Sequence, residues 1–151
     1  MPKKLFATPS DTTLAILRIT LGLIFFAHGA QKVFGWFGGA GFAGTMGFFT
    51  TGMGIPAPFA FLAIMAEFLG GLGLVVGLLG RVAAVGVASV MVVAILTVHA
   101  PNGLFMNWSG QQKGEGFEYH LLAIALAIAI IVRGSGAWSF DRLVSGILER
   151  R

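Results

Sequence analysis

The sequence contains no cysteine and very few charged residues. The missing cysteine excludes disulfide bonds, thiolate nucleophiles and iron–sulfur ligation by this chain. Charged residues make up 11% of the 151 residues, whereas soluble domains carry roughly 25%. Hydrophobic residues make up 56%, and the mean hydropathy is +0.88. Because so little charge cannot cover a water-facing surface, the chain is predicted to be an integral membrane protein.

Four long apolar segments indicate the architecture. They run from about residues 14–33, 58–79, 82–98 and 119–132. Since about 20 apolar residues cross a bilayer as a helix, we expect an all-α membrane protein, with residues 1–151 forming a single four-transmembrane-helix bundle. Only Gly80 and Arg81 separate the second and third segments, which predicts a tight antiparallel hairpin.

The distribution of basic residues predicts the orientation in the cytoplasmic (inner) membrane. The net charge is +4, and seven of the ten basic residues lie in the N-terminal tail, at Arg81 and in the tail from Arg133 onward. Cytoplasmic segments carry the excess of lysine and arginine, so both termini are expected in the cytoplasm. No polar segment interleaves basic and aromatic residues, so nucleic acid is not an expected partner, whereas the lipid bilayer is.

The two long connections, residues 34–57 and 99–117, are then expected on the outer face. The first has no charged residue and many Gly and Phe, which predicts an interfacial outer loop or a partly re-entrant one. The second is more polar, and Trp108 is expected to anchor it at the interface.

The predicted first and second spans contain costly ionisable groups. At 100° per residue, Arg18, His28 and Lys32 fall within an arc of about 80° on one helix face. Glu67 lies near the middle of the second span on a face of small residues, so it is expected to point into the bundle. A buried carboxylate needs a proton or a basic partner, and the sequence leaves both Arg18 and Lys32 open as that partner.

More polar residues lie at the predicted outer end. His99 ends the third span, and Glu118, Tyr119 and His120 begin the fourth. The three histidines of the chain come from three different spans and satisfy no ligand-spacing rule, so no metal site is predicted.

Five stretches resemble the DoxX family along most of the chain: LRITLGLIFFAHGAQKVFG (17–35), AEFLGGLGLVVGLLGR (66–81), HAPNG (99–103), EYHLL (118–122) and GSGAWSFDR (134–142). Ser135 stands where family members commonly have proline. The resemblance implies a small four-helix membrane protein, commonly labelled an oxidoreductase. Relatives are linked to quinone-coupled thiosulfate oxidation in archaea and to a membrane oxidative-stress complex in mycobacteria. The motif positions carry over to Arg18, His28, Lys32, Glu67, His99, Glu118 and His120.

We therefore expect a membrane oxidoreductase or redox-complex subunit that binds a quinone or a similar lipophilic molecule. Glu67, His28 and Lys32 are the candidate catalytic residues, with Glu67 relaying a proton. Arg18, His99, Glu118 and His120 are the candidate substrate-binding residues. Quinone is the expected substrate or ligand, with no covalent cofactor, and the electron donor is external.

Other functions are left open by the sequence. The chain also fits a small-molecule carrier that uses Glu67 and Arg18 as a polar pair, or a non-catalytic assembly subunit. Small-residue faces are compatible with a homodimer, and a redox-complex partner protein fits the leading hypothesis.

Overall fold

The computed structural model describes residues 2–149, and every regular element in that range is helical. The helices are α1 (Pro2–Phe6), α2 (Thr12–Phe34), α3 (Gly41–Gly47), α4 (Ala57–Val76), α5 (Gly80–Ala94), α6 (Glu118–Arg133) and α7 (Phe140–Glu149). The predicted all-helical class is therefore confirmed for the described residues. Arg150 and Arg151, which contribute to the predicted cytoplasmic charge, lie outside them.

Within residues 2–149, three helical segments are long and apolar enough to cross a membrane. They are Thr12–Phe34, Ala57–Val76 and Gly80–Asn102, the last of which includes the extension of α5 described below. Helix α6 has 16 residues and is shorter. The chain is thus a membrane protein with several apolar helices.

The ends of the helices follow from local chemistry. Asp11 caps α2, because its side chain accepts a hydrogen bond from the Leu14 amide at 3.0 Å. Gly77 adopts a left-handed conformation with φ 72° and ends α4. The hairpin turn therefore comprises residues 77–79, while Gly80 and Arg81, the expected turn residues, form the first turn of α5.

Helices α2 and α4 pack antiparallel with their backbones very close together. A Cβ atom at Gly22, Gly29 or Gly71 would overlap backbone atoms of the facing helix. Glycine is the residue that permits such an approach between membrane helices. Helix α5 packs on both α4 and α6. The buried apolar core shared by these helices contains Leu14, Leu21, Phe25, Leu74, Ala84, Val87, Met91, Ala123, Ala127 and Ile130.

Two π-helical turns interrupt the regular helical geometry. One, Phe48–Gly52, follows α3 in the Gly/Phe-rich loop. The other, Ile95–His99, extends α5 and continues into a 3₁₀ turn at Ala100–Asn102. Turns of this kind are frequent at functional sites, and both contribute side chains to the cavity described below.

Long-range hydrogen bonds join the helices at the end of the bundle that contains the hairpin between α4 and α5. The Arg81 guanidinium donates to the carbonyl groups of Ile131, Val132 and Ala7, so it joins α5 to the end of α6 and to the N-terminal segment. The Asp141 carboxylate accepts from the amides of residues 79 and 80 at 2.7 and 2.9 Å and thereby caps α5. Helix α7 is therefore attached to the hairpin between α4 and α5.

Candidate functional site

A cavity of about 780 Å³, called the main cavity below, lies between α2, α4, α5 and α6. It is partly open to the surroundings, and aromatic and aliphatic side chains form most of its wall. The Gly/Phe-rich loop contributes Phe48, Phe49, Met53 and Ile55 to that wall. The polar side chains on the wall are His28, Lys32, Glu67, Ser89, Thr97, His99, Glu115, Tyr119 and His120.

Lys32 and Glu67 form an ion pair on one side of the main cavity. The Lys32 Nζ atom contacts Glu67 Oε2, and the two side chains are 22% and 8% exposed. The close approach of α2 and α4 at Gly29, one helical turn before Lys32, brings the two groups together. The structure thus pairs Glu67 with Lys32, one of the two partners that the sequence leaves open.

His99 and His120 meet where the extension of α5 and the first turn of α6 form the wall of the main cavity. Their ring centroids are 4.1 Å apart with an angle of 45° between the planes. His99 Nδ1 lies 2.8 Å from the Glu115 carbonyl oxygen. Because a carbonyl oxygen only accepts hydrogen bonds, this contact requires a proton on Nδ1 and fixes the orientation of the His99 ring.

Glu115 holds the loop beside these histidines, although the sequence analysis did not select it. Its side chain accepts a hydrogen bond from the Asn107 amide at 2.7 Å. Its carbonyl oxygen accepts one from Asn102 Nδ2 at 3.1 Å, in addition to that from His99. Glu115 precedes α6 in an irregular loop, where no helical periodicity places it on a face.

Two residues that line the main cavity each carry a buried polar atom that has no hydrogen-bond partner among the described residues. The atoms are the Tyr119 hydroxyl oxygen and His120 Nδ1. His120 is 6% exposed, so water does not surround its ring. Buried polar groups are satisfied in the great majority of cases, so these two atoms are exceptions in the packing around the first turn of α6.

The structure brings five of the seven predicted site residues to the main cavity. They are His28, Lys32, Glu67, His99 and His120. Glu118 is not among the lining residues, and its carboxylate instead accepts a hydrogen bond from Trp108 Nε1 at 3.3 Å. Trp108 is 87% exposed and lies over the start of α6.

Arg18 also lies away from the main cavity, at the end where α4 stops. Its fully buried guanidinium donates to the carbonyl groups of Leu74 and Val75. The Val75 carbonyl oxygen is 2.8 Å from the guanidinium. It also donates to the carbonyl oxygens of Ser135 at 2.6 Å and Trp138 at 3.1 Å. The carbonyl groups in the last turn of a helix lack intrahelical donors, and Arg18 supplies them for α4. These contacts assign Arg18 a role in joining helices.

The arrangement offers hydrogen-bond donors and proton-transfer groups on an apolar wall. Among the described residues, no group of three or more His, Asp or Glu side chains is arranged to hold a metal ion. Such a wall accommodates a neutral, largely apolar ligand that carries a few oxygen atoms.

Comparisons with known proteins agree with a membrane location. The sequence model of the DoxX family matches residues 13–100, more than half of the chain. A Bacillus subtilis (strain 168) protein named "Putative oxidoreductase CatD" is 30% identical over 115 residues, which cover 76% of this chain and 75% of that protein. An Escherichia coli (strain K12) protein named "Inner membrane protein YqjF" is 27% identical over 135 residues, 89% of this chain and 94% of that protein. No solved structure matches the chain significantly.

Proposed function

The chain belongs to the DoxX family, and we propose that it is a quinone-binding subunit of a redox system in the cytoplasmic (inner) membrane. The main cavity is the proposed quinone site, and the electrons come from a redox partner protein. The name of the Bacillus subtilis relative, "Putative oxidoreductase CatD", supports the redox assignment. The name of the Escherichia coli relative, "Inner membrane protein YqjF", supports the location.

We propose that four helices cross the bilayer, with α6 as the fourth. Its 16 residues span about 24 Å, roughly 6 Å less than the hydrocarbon core, and local thinning of the bilayer accommodates such a difference. Both termini face the cytoplasm in this arrangement. The hydrogen bonds of Arg81 support it, because they place the hairpin, the end of α6 and the N-terminal segment at the same end of the bundle. That end carries most of the basic residues, in agreement with the positive-inside rule.

The single observation that carries the quinone proposal is the composition of the main cavity. Pockets for small molecules typically measure about 300–1,000 Å³ and are lined by apolar side chains with a few polar groups. The main cavity has this size and this composition. It is also partly open to the surroundings. In this proposal, a ligand with a long apolar tail enters from the lipid while its polar ring stays inside.

The residues on the cavity wall have distinct roles in this proposal. His28 or Lys32 donates a hydrogen bond to one quinone oxygen, and the pair of His99 and His120 serves the other. Reduction of a quinone to a quinol consumes two electrons and two protons, and the protons need a path into an apolar site. Glu67 and Lys32, which already share a hydrogen bond, supply one such path in this proposal.

The experiment that tests this proposal measures quinone binding in a bilayer. The protein is reconstituted into lipid nanodiscs, titrated with decylubiquinone, and extracted for mass spectrometry of the bound quinone. Ala63→Phe places a ring in the main cavity, whereas Ala125→Phe places the same ring on an exposed face of α6 away from it. We expect one quinone per chain in the wild type and in Ala125→Phe, and an at least roughly 10-fold weaker affinity in Ala63→Phe.

Two results would overturn the proposal. Absence of saturable quinone binding in the wild type removes the quinone function and leaves the carrier and assembly hypotheses. Equal quinone affinities of Ala63→Phe and Ala125→Phe place the quinone outside the main cavity. Elution of each variant at the wild-type volume in size-exclusion chromatography confirms that the comparison is made on folded protein.

A further inference from the structure

Helix α7 carries an apolar face that the described part of the chain leaves uncovered. The side of α7 that packs on the protein is polar, since Asp141 and Ser145 are its buried residues. Phe140, Leu143 and Ile147, which follow helical spacing on a different face, are each more than half exposed. A helix that is apolar on one side and polar on the other is typical of segments that lie at a membrane surface.

The attachment of α7 places this face at the end of a membrane span. The Asp141 amide donates to the Gly77 carbonyl at 2.9 Å, so α7 begins beside the residue that ends α4. A cleft of about 270 Å³, called the α7 cleft below, lies at this point and is lined by Val76, Trp138, Ser139, Phe140, Arg142 and Leu143. Since Val76 is the last residue of α4, the apolar face of α7 adjoins a spanning helix at the level where that helix ends.

Trp138 adds an aromatic ring to the same surface. It lines the α7 cleft and is 68% exposed. Its φ of 51° lies in the left-handed region, which few residues other than glycine adopt. The buried Arg18 guanidinium donates to the Trp138 carbonyl at 3.1 Å and so holds the backbone in this conformation. Tryptophan is enriched where a membrane meets water, because its ring is apolar and its N–H group is polar.

The charged groups near the α7 cleft favour an anionic partner. The Arg142 side chain lines the cleft, and it has no ion pair or side-chain hydrogen bond with the residues that the structure describes. Lys3 and Lys4 are exposed on α1, which packs against α7. Of the two acidic residues of α7, Asp141 is buried and Glu149 lies about two turns beyond Arg142. Basic residues in such a position attract anionic lipids.

We propose that the α7 cleft binds an anionic phospholipid of the cytoplasmic leaflet. The Arg142 guanidinium binds the phosphate group, Trp138 lies at the level of the glycerol, and the apolar face of α7 lies among the first carbons of the acyl chains. Helix α7 then lies in the plane of the membrane surface. This inference takes only the orientation of the chain from the proposed function, because the α7 cleft and the main cavity share no lining residue.

The first experiment measures how deep Trp138 lies in the bilayer. Trp36→Phe combined with Trp108→Phe leaves Trp138 as the only tryptophan of the chain. This protein is reconstituted into nanodiscs of phosphatidylcholine that is brominated either near the headgroup end of its acyl chains or near their tips. Bromine quenches tryptophan fluorescence only at short range. We expect strong quenching by the shallow bromine and weak quenching by the deep one.

A tryptophan on the polar side of α7 is the matched control. Gly146→Trp is introduced after all three native tryptophans are replaced by Phe, and a Cβ at Gly146 meets nothing within 4 Å. Neither brominated lipid should quench this residue strongly. Absence of quenching of Trp138 by both lipids would place its ring in water or against a protein partner, and stronger quenching by the deep bromine would place it inside the hydrocarbon core. Either result overturns the inference.

The second experiment measures whether the bound lipid is anionic. Trp138 quenching is compared for brominated phosphatidylglycerol in phosphatidylcholine and for brominated phosphatidylcholine in phosphatidylglycerol, at the same fraction of brominated lipid. We expect about 3–5-fold enrichment of phosphatidylglycerol beside Trp138, and its loss in Arg142→Gln. Arg133→Gln, which removes an exposed arginine close to Asp11, should keep the enrichment. No enrichment in the wild type, or equal enrichment in Arg142→Gln, overturns the anionic site. All of these results leave quinone binding in the main cavity unaffected.

Discussion

The Lys32 ammonium group contacts the Glu67 carboxylate across the interface of α2 and α4, on the wall of the main cavity. The sequence leaves both Arg18 and Lys32 open as the partner of Glu67, since helical periodicity places them on one face of the same span. The contacts decide in favour of Lys32, because the Arg18 guanidinium donates to backbone carbonyls at the C-terminal end of α4 and in the segment after α6. One buried arginine thus joins helices, and one partly exposed lysine neutralises the acid.

Substitution of Glu67 is expected to destabilise the protein in a graded way. Glu67→Ala leaves the Lys32 ammonium unpaired, and because Lys32 is partly exposed we expect a loss of about 1–3 kcal/mol in unfolding free energy. Glu67→Gln keeps a hydrogen-bond acceptor and should lose less. Thermal unfolding in detergent measures the difference. Equal losses in the two variants, or a Glu67→Ala protein as stable as the wild type, would show that the pair does not stabilise the fold.

The glycine at position 29 is expected to control whether the ion pair forms. A Cβ atom there would overlap the backbone of Phe68, so Gly29→Ala forces α2 and α4 apart at the turn that precedes Lys32. We expect a destabilisation of about 1–3 kcal/mol. Gly47 in α3 is the matched control, because a Cβ there meets nothing within 4 Å and its φ of −59° is helical. Gly47→Ala should be neutral or stabilising by up to about 1 kcal/mol.

The buried arginine is expected to be far more important for stability than an exposed one. Arg18→Gln leaves several buried carbonyl groups without a donor, and we expect a loss of about 3–5 kcal/mol and poor expression. Arg133→Gln is the control, because Arg133 is 62% exposed and lies 4.0 Å from Asp11. The unfolding free energy of Arg133→Gln should be at most about 0.5 kcal/mol below that of the wild type. Similar thermal stabilities of the two variants would contradict the structural role of Arg18.

The absence of cysteine makes the proposed orientation directly measurable. Single cysteines introduced at Ser109, in the loop before α6, and at Gly146, on an exposed position of α7, report the two sides of the membrane. We expect a membrane-impermeant maleimide to label Ser109→Cys in intact cells and Gly146→Cys only after the cells are opened. The wild type, which has no thiol, is the blank. Labelling of Gly146→Cys in intact cells would place the C-terminal helix outside.

Hydrophobicity and periodicity predict the helical class of this chain and the inward direction of Glu67. Long apolar segments permit only helices in lipid, and Glu67 shares a helix face with small residues. The family motifs lead to the histidines. Other features depend on contacts that no local pattern specifies. Asp141 caps α5 across a separation of 61 residues, and Arg18 reaches Ser135 across 117.

The surroundings of Tyr119 and His120 likewise could not be predicted from the sequence. The sequence places both residues at the start of the fourth apolar segment. Only the structure shows that His120 packs against His99 and that a buried atom of each residue lacks a hydrogen-bond partner among the described residues. Glu115 was missed for a similar reason. Its carbonyl group, and not its charge, orients His99, and a backbone contact leaves no mark in the sequence.

Photochemical cross-linking of a quinone tests the central claim most directly. The protein in nanodiscs is illuminated with an azido-quinone, with and without excess decylubiquinone, and the labelled peptides are identified by mass spectrometry. The account predicts labels on residues of the main cavity, in the turn Ile95–His99 and in the first turn of α6, which disappear with excess quinone and in Ala63→Phe. Labels confined to the exposed faces of the helices, or labels that excess quinone does not displace, would contradict a quinone site in this cavity.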